Sequence, residues 1–169
     1  MSSTVLLVVE DSSFLESLSG SLKLLKASIV SARSKHEALE VCSNREVDLA
    51  LLDIRHQGND AMQVLARLKK SQPETEVILL SDPENIAFAM EGMRQGAYDD
   101  ITVPFDIDSF RKTIKSALRR RKAHLAANRK RTLLNVFEDA MVAATFAEAG
   151  EFETAQNMYK GDGKEENSG

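Results

Sequence analysis

The segment VDLALL (47–52), followed directly by Asp53, is the part of the sequence that decides the fold. Its apolar residues run together, whereas a strand with one face in water would alternate apolar and polar residues. Continuous apolar runs are typical of strands buried on both faces, as in a parallel sheet. Four other segments are candidates for strands of the same sheet: TVLLVV (4–9), SIVSA (28–32), EVILL (76–80) and YDDIT (98–102).

Segments with helical spacing of apolar residues lie between these strand candidates. Apolar residues three or four positions apart share one face of a helix. The residues with this spacing are Leu15, Leu18, Leu22 and Leu25, then Leu39 and Cys42, Leu65 and Leu68, Ile86 and Met90, and finally Phe110, Ile114 and Leu118. Strand and helix alternate five times, which predicts an α/β domain with a doubly wound, five-stranded parallel sheet. We place this domain in residues 1–121.

Composition excludes several classes of protein. The 169 residues include one cysteine, which cannot form an internal disulfide, and three histidines whose spacing suggests no zinc site. No run reaches the roughly 18 uncharged apolar residues of a membrane span. The first residues, MSSTVLLVVED (1–11), lack the basic start and the small-residue cleavage site of a secretory signal. We therefore expect a cytoplasmic protein without a membrane span.

Positive charge is concentrated in one segment. The net charge is −4, yet RRRKAHLAANRKR (119–131) holds seven of the 22 basic residues and no acid. The rest of the chain is strongly acidic, which argues against general affinity for nucleic acid. The segment continues the last helix of the domain, and a solvated helix face is the interpretation we favour. Contact with RNA or DNA, and docking onto an acidic partner or a neighbouring subunit, are the alternatives.

Three carboxylates and one hydroxyl stand at the ends of strand candidates. Glu10 and Asp11 follow the first strand, Asp53 the third and Ser81 the fourth. In open α/β sheets, polar sites gather at the carboxyl ends of the strands. Oxygen ligands suit magnesium (Mg2+), and a cation would offset the roughly 4 kcal/mol of repulsion between like charges at about 4 Å. The alternative is that these acids simply face solvent.

Four segments of the domain resemble the receiver domain of two-component response regulators, in the order and separation of that family. They are VLLVVEDS (5–12), VDLALLDIR (47–55), VILLS (77–81) and AMEGMRQGAYDDITVPFDID (89–108). The resemblance implies a flavodoxin-like sheet and a partner that is a sensor histidine kinase or a phosphotransfer protein. It also implies a downstream protein target.

The resemblance also implies roles for individual residues. Asp53 corresponds to the phospho-acceptor, and Ser81 corresponds to the switch hydroxyl that bonds a phosphoryl oxygen. Asp11 and Asp53 would hold Mg2+, helped by Glu10 through water and by the backbone carbonyl of Arg55. The ion would neutralise the oxygens of the transferring group.

Three positions depart from the family pattern. Val103, in TVPF, replaces the lysine that meets the phosphoryl group, and Asp100 replaces the switch aromatic. Asp82, directly after Ser81, adds a carboxylate where relatives have a small residue. We interpret the Arg55 side chain as exposed, with partial compensation for the lost lysine as the alternative. These departures predict that magnesium binding is kept and that the activation step is altered.

Residues 122–160 form a predicted helical extension. Leu134, Phe137, Met141 and Ala144 share one helix face, and FAEAGEFETAQNMY (146–159) resembles the turn and second helix of a tetratricopeptide repeat. A single repeat needs a neighbour to bury its apolar face, so we expect packing on the receiver, a homodimer or a docked partner. The polar tail, 161–169, is predicted to be disordered.

Two functions remain open at the level of sequence. The first is a response regulator that accepts a phosphoryl group at Asp53 and acts through protein contacts, with no recognised DNA-binding or enzymatic output. The second is a phosphorylation-independent pseudo-receiver that serves as a docking or dimerisation scaffold. A phospho-switch requires Asp53, whereas a scaffold tolerates its replacement.

Overall fold

The computed structural model describes residues 2–148 and confirms the five-stranded parallel sheet. The strands are β1 (Thr4–Val8), β2 (Ser28–Ala32), β3 (Leu49–Asp53), β4 (Glu76–Ser81) and β5 (Asp99–Thr102). They lie in the order β2-β1-β3-β4-β5, and every neighbouring pair is parallel. The strand β3, which ends at Asp53, is thus the central one.

Helices follow every strand, as the alternation predicts. They are α1 (Ser12–Leu22), α2 (Lys35–Asn44), α3 (Gly58–Ser71), α4 (Ile86–Arg94) and α5 (Ile107–Glu148). Single 3₁₀ turns lie at Lys23–Leu25 and Pro83–Asn85. The chain separates into two compact units after Leu125, within α5.

The core has two layers because residues of the central strands alternate between the faces of the sheet. In β3, Ala50 and Leu52 belong to the cluster that includes Ala38, Val64 and Ala89 from α2, α3 and α4. Leu49 and Leu51 belong to the cluster that includes Leu18 of α1 and Phe110 and Ile114 of α5. All four β3 residues are fully buried, which confirms that the run is buried on both faces.

Helix α4 differs from its predicted apolar face. The spacing of Ile86 and Met90 predicts that they face the core of the domain, but the two residues are 58% and 68% exposed. The helix packs through small residues instead, because Ala89 and Gly92 form its buried side. At the end of α1, Lys26 adopts a left-handed backbone with φ of 52°, so the chain leaves the helix soon after Leu22.

Close packing at the start of α3 makes a glycine necessary there. A Cβ atom added at Gly58 would lie 2.7–2.8 Å from three atoms of the Phe88 ring. We expect Gly58→Ala to lower the free energy of unfolding by about 1–2 kcal/mol, since the ring must move within a packed layer. Gly20 in α1 is the control, because its Cβ would meet nothing within 4 Å.

The two substitutions therefore have opposite expected signs in urea unfolding. Gly20→Ala should stabilise the protein by about 0.5–1 kcal/mol through helix propensity alone. A Gly58→Ala variant as stable as the wild type would contradict the packing of α3 against Phe88.

The basic segment contains one buried arginine, so the interpretation of the segment as a solvated face is wrong for Arg121. Arg121 is 3% exposed, and a terminal guanidinium nitrogen donates to Glu46 Oε1 at 2.9 Å. Its Nε lies 3.1 Å from Asp48 Oδ1, an ion-pair distance without hydrogen-bond geometry. Arg120 Nε lies 3.4 Å from Oε1 of the buried Glu76. These acids flank the amino ends of β3 and β4, so they fix the part of α5 that belongs to the first unit to that edge.

The second unit is helical as far as the structure describes it. Large apolar side chains of this part are half-exposed or more: Leu133, Leu134, Val136, Phe137, Met141, Val142 and Phe146. The predicted repeat-like turn and second helix, and the predicted disordered tail, lie outside the described residues. Within residues 2–148 no helix is both long enough and apolar enough to cross a membrane.

Candidate functional site

Asp53 is the last residue of β3, and its carboxylate is almost fully enclosed. The side chain is 5% exposed. Arg55, two residues later, binds both oxygens: Nε donates to Oδ1 at 2.9 Å, and Nη2 donates to Oδ2 at 2.9 Å. The backbone N–H of Arg55 also donates to Oδ1, at 3.1 Å. One residue thus supplies three hydrogen bonds to the candidate phospho-acceptor.

The Arg55 side chain is itself enclosed, which contradicts its interpretation as a surface arginine. It is 16% exposed, and its Cζ atom lies 4.2 Å from the centroid of the Phe14 ring. The hydrogen bond to Asp53 raises the pKa of Arg55 most; burial opposes this, and the charges of Asp53, Asp82 and Asp11 add to it. The ring and the carboxylate together fix the guanidinium beside the end of β3.

Glu10 and Asp11, at the end of β1, do not converge on Asp53. Asp11 caps α1, where its Oδ1 accepts the backbone N–H of Phe14 at 2.7 Å. Glu10 Oε2 accepts a hydrogen bond from Gln57 Nε2 at 2.9 Å. Nowhere in residues 2–148 do three acidic, histidine or cysteine side chains lie together as metal ligands.

Arg55 explains why Glu10 and Asp11 do not converge on Asp53 as predicted. Three carboxylates without a cation repel one another, and the guanidinium already neutralises the most buried of them. The remaining two acids turn toward backbone and amide donors.

Asp82 and Asn85 form the wall next to Arg55. Asp82 caps the 3₁₀ turn: its Oδ1 accepts the backbone N–H of Glu84 at 3.0 Å and Asn85 Nδ2 at 2.7 Å. Asn85 Nδ2 also donates to the backbone carbonyl of Arg55 at 3.2 Å. The extra carboxylate after Ser81 is thus a capping residue as well as a negative charge near the site.

Ser81 is the last residue of β4, and its hydroxyl forms a hydrogen bond with Asp100, not with Asp53. It is 3% exposed, and its hydroxyl donates to Asp100 Oδ2 on β5, at 3.4 Å. Val103 follows β5; its N–H donates to the carbonyl of Ser81 at 2.8 Å, and its side chain packs on the apolar cluster of α1 and α5. The two departures, Asp100 and Val103, therefore both contact Ser81.

A lysine does lie beside the site, but it is engaged elsewhere. Lys35 and Asp53 line the same small pocket. Lys35 Nζ lies 3.2 Å from Asp60 Oδ1 and 3.0 Å from Gln63 Oε1. Within residues 2–148, Asp53 therefore forms its ion pair with Arg55, whereas Lys35 forms its own with Asp60.

The donor atoms at this edge suit magnesium in their chemistry. Carboxylate and carbonyl oxygens are its preferred protein ligands, and the ends of β1 and β3 adjoin because Val8 pairs with Leu52. The Arg55 carbonyl keeps a second lone pair beside its bond from Asn85. The guanidinium binds both Asp53 oxygens, whereas Glu10 and Asp11 each accept a hydrogen bond through one carboxylate oxygen. The donors therefore fit the ion once Arg55 moves.

The residues that sequence reasoning missed are partners of the predicted ones. The Asp-Pro-Glu sequence from Asp82 on is a recognisable cap signal, with proline in the first turn. The sequence shows an arginine two residues after Asp53. The orientation of its side chain depends on Phe14, which lies more than forty residues away along the chain. No sequence signal identifies that contact.

Comparison with known proteins places the chain in a family. The sequence model of the response regulator receiver domain matches residues 5–115. The transcriptional regulatory protein GlrR of Escherichia coli is 35% identical over 114 residues, 68% of this chain and 26% of that protein. The transcriptional regulatory protein YkoG of Bacillus subtilis is 35% identical over 118 residues, 68% of this chain and 50% of that protein. The chain thus spans a half or less of these relatives.

A solved structure agrees with the sequence matches. The receiver domain of NtrX from Brucella abortus is 31% identical, with a TM-score of 0.63 over 68% of this chain and 98% of that one. Receiver domains are signalling modules that interact with histidine kinases and downstream effectors. With its parallel sheet and an aspartate at the end of the central strand, this chain belongs to the response regulator receiver family.

Proposed function

We propose that this chain is a cytoplasmic receiver of a two-component phosphorelay that accepts a phosphoryl group at Asp53. The observation that carries the proposal is the Asp53 carboxylate itself, at the end of the central strand and paired with a fixed cation. An acid placed merely for solubility would face solvent, whereas this one is enclosed beside a small pocket. The family gives the acceptor aspartate this position.

The proposed reaction moves a phosphoryl group from a histidine of a sensor kinase or phosphotransfer protein. An Asp53 oxygen attacks phosphorus and forms a P–O bond while the P–N bond breaks. The electron pair of that bond stays on the imidazole, which takes up a proton. Magnesium, when bound, offsets the charge on the transferring oxygens. Its proposed ligands are Asp11, Asp53 and the Arg55 carbonyl, with Glu10 acting through water.

The activation step is proposed to differ from the family pattern. The buried Ser81 hydroxyl already has a partner in Asp100, a carboxylate in place of the switch aromatic. Val103 supplies no charge to the phosphoryl group, and its side chain packs on apolar residues. Phosphorylation is therefore expected to be slow or weakly coupled to a conformational change.

NMR titration with magnesium and beryllofluoride, a phosphoryl mimic, tests this function. We expect magnesium alone to shift amides at the ends of β1 and β3. Beryllofluoride should cause further shifts there that require magnesium and Asp53, with weak shifts at Ser81 and Asp100. Asp53→Asn is the control and should lose the mimic-dependent shifts. An absence of any shift at Asp53 in the wild type would contradict phospho-acceptance.

The second candidate is a phosphorylation-independent scaffold, favoured by the acids and the valine around Ser81. Its test is partner capture by the Asp53→Ala variant. A phospho-switch loses phosphorylation-dependent capture in this variant, whereas a scaffold keeps the partner. Strong shifts at Asp100 on adding the mimic would argue against the scaffold.

The extension and its partners remain part of the proposal. Half-exposed apolar side chains along residues 133–146 support the predicted homodimer or partner-docking surface. Light scattering across micromolar concentrations distinguishes these, since only a homodimer changes mass with concentration alone. Two relatives are named transcriptional regulators, so low affinity for nucleic acid stays a prediction.

A further inference from the structure

We infer that Arg55 is the site's own cation: it holds Asp53 in the metal-free protein, and after magnesium displaces it, it meets the phosphoryl oxygens in place of the missing lysine. This inference rests on the proposed function, and it adds the residue that sets the affinity of the site for both magnesium and the phosphoryl group.

Arg55 and magnesium need the same two oxygen atoms of Asp53. The guanidinium uses both Asp53 oxygens, at 2.9 Å each. The carboxylate is 5% exposed, so its remaining surface offers little room for a second cation. Metal binding therefore has to break two charge-assisted hydrogen bonds, which lowers the apparent affinity for magnesium.

After displacement from Asp53, the guanidinium of Arg55 remains beside the site. The Phe14 ring holds one face of it, and Asp82 and Asp11 also favour its charge. It is tethered two residues from Asp53, so it stays beside the acceptor after releasing it. A planar guanidinium with a fork of donors matches the oxygens of a phosphoryl group.

Among the described residues, 2–148, the basic side chains other than Arg55 make no hydrogen bond or ion pair with Asp53. Val103 is neutral, and Lys35 is bound to Asp60 and Gln63. Arg33 donates to the backbone carbonyl of Glu10, at 3.1 and 3.2 Å. In the part of the chain that the structure describes, Arg55 thus makes the ion pair to Asp53.

The test measures two affinities in the 169-residue chain, wild type and Arg55→Ala. Magnesium binding is followed by NMR shifts, and beryllofluoride binding is measured at saturating magnesium. We expect Arg55→Ala to bind magnesium about tenfold more tightly and beryllofluoride about tenfold more weakly, because each change replaces or removes an interaction of roughly 1.4 kcal/mol. Opposite changes in the two affinities are expected only if Arg55 binds Asp53 in the metal-free protein and binds the phosphoryl mimic after magnesium is bound.

Three further variants sharpen the result. Arg33→Ala is the matched control, since it removes a positive charge beside the same acids but no bond to Asp53; it should change each affinity less than threefold. Arg55→Lys should restore most of the beryllofluoride affinity. Phe14→Leu removes the ring but no charge, and it should tighten magnesium binding by less than Arg55→Ala does.

The outcomes separate this inference from the proposed function. Equal magnesium affinity in the wild type and Arg55→Ala, or equal effects of Arg33→Ala and Arg55→Ala, would overturn the role of Arg55 while leaving phospho-acceptance intact. Unchanged beryllofluoride affinity in Arg55→Ala would do the same. An absence of magnesium binding in every variant, with native thermal unfolding, would overturn the proposed metal site itself.

Discussion

Val103→Lys should bind beryllofluoride at least tenfold more tightly than the wild type at saturating magnesium. The valine follows β5 and donates its N–H to Ser81, the residue at the end of the neighbouring strand. In the family, the lysine at this position meets the phosphoryl group. A charge-assisted hydrogen bond contributes about 1.5–3 kcal/mol, which corresponds to a factor of roughly ten to one hundred in affinity.

A neutral substitution at the same position separates charge from packing. Val103→Met adds volume next to the apolar cluster without adding charge, so it should leave the affinity for beryllofluoride within about threefold. Equal affinities of the wild type and Val103→Lys, both folded by thermal unfolding, would show that the lost lysine is not what distinguishes this receiver.

Arg121→Met should lower the free energy of unfolding by about 2 kcal/mol in urea. The buried guanidinium pairs with Glu46 and with Asp48, whose other oxygen accepts the backbone N–H of Thr4 at 2.6 Å. Removing the arginine leaves Asp48 without its cation, and that acid is only 26% exposed. Breaking a fully buried pair costs about 3–5 kcal/mol, and partial exposure of the acid reduces this.

The neighbouring arginine provides a matched control for the loss at Arg121. Arg119 is exposed, so Arg119→Met should change stability by less than about 0.5 kcal/mol. Methionine keeps the apolar stem in both variants, which leaves charge as the difference between them. Equal stabilities of the two variants would contradict a structural role for the start of the basic segment.

The strands were predictable because their physical cause is local. A parallel strand buried on both faces needs a continuous apolar run, and Leu49 to Leu52 show that run directly in the sequence. The edge helix α4 was not predictable in the same way. It packs through the small residues Ala89 and Gly92, whose hydrophobic signal is weak, while the larger apolar Ile86 and Met90 face outward.

The site was predictable in its residues but not in its contacts. Asp53 and Ser81 stand at strand ends, and the family resemblance gives them roles. The direction of the Arg55 side chain depends on Phe14 and on the sheet that brings α1 beside β3, so it could not be read from spacing. For the same reason, the anchoring of Arg121 by Glu46 and Asp48 was hidden within a segment that resembles a solvated helix face.

Intact-protein mass spectrometry during incubation with acetyl phosphate and magnesium tests phospho-acceptance at Asp53 most directly. We predict that one phosphoryl group accumulates slowly on the wild type and not at all on Asp53→Asn. Labelling of Asp53→Asn, or a wild type that never gains the group, would contradict phosphorylation at Asp53. Rapid and complete labelling that requires Asp53 would contradict slow phosphorylation of this receiver.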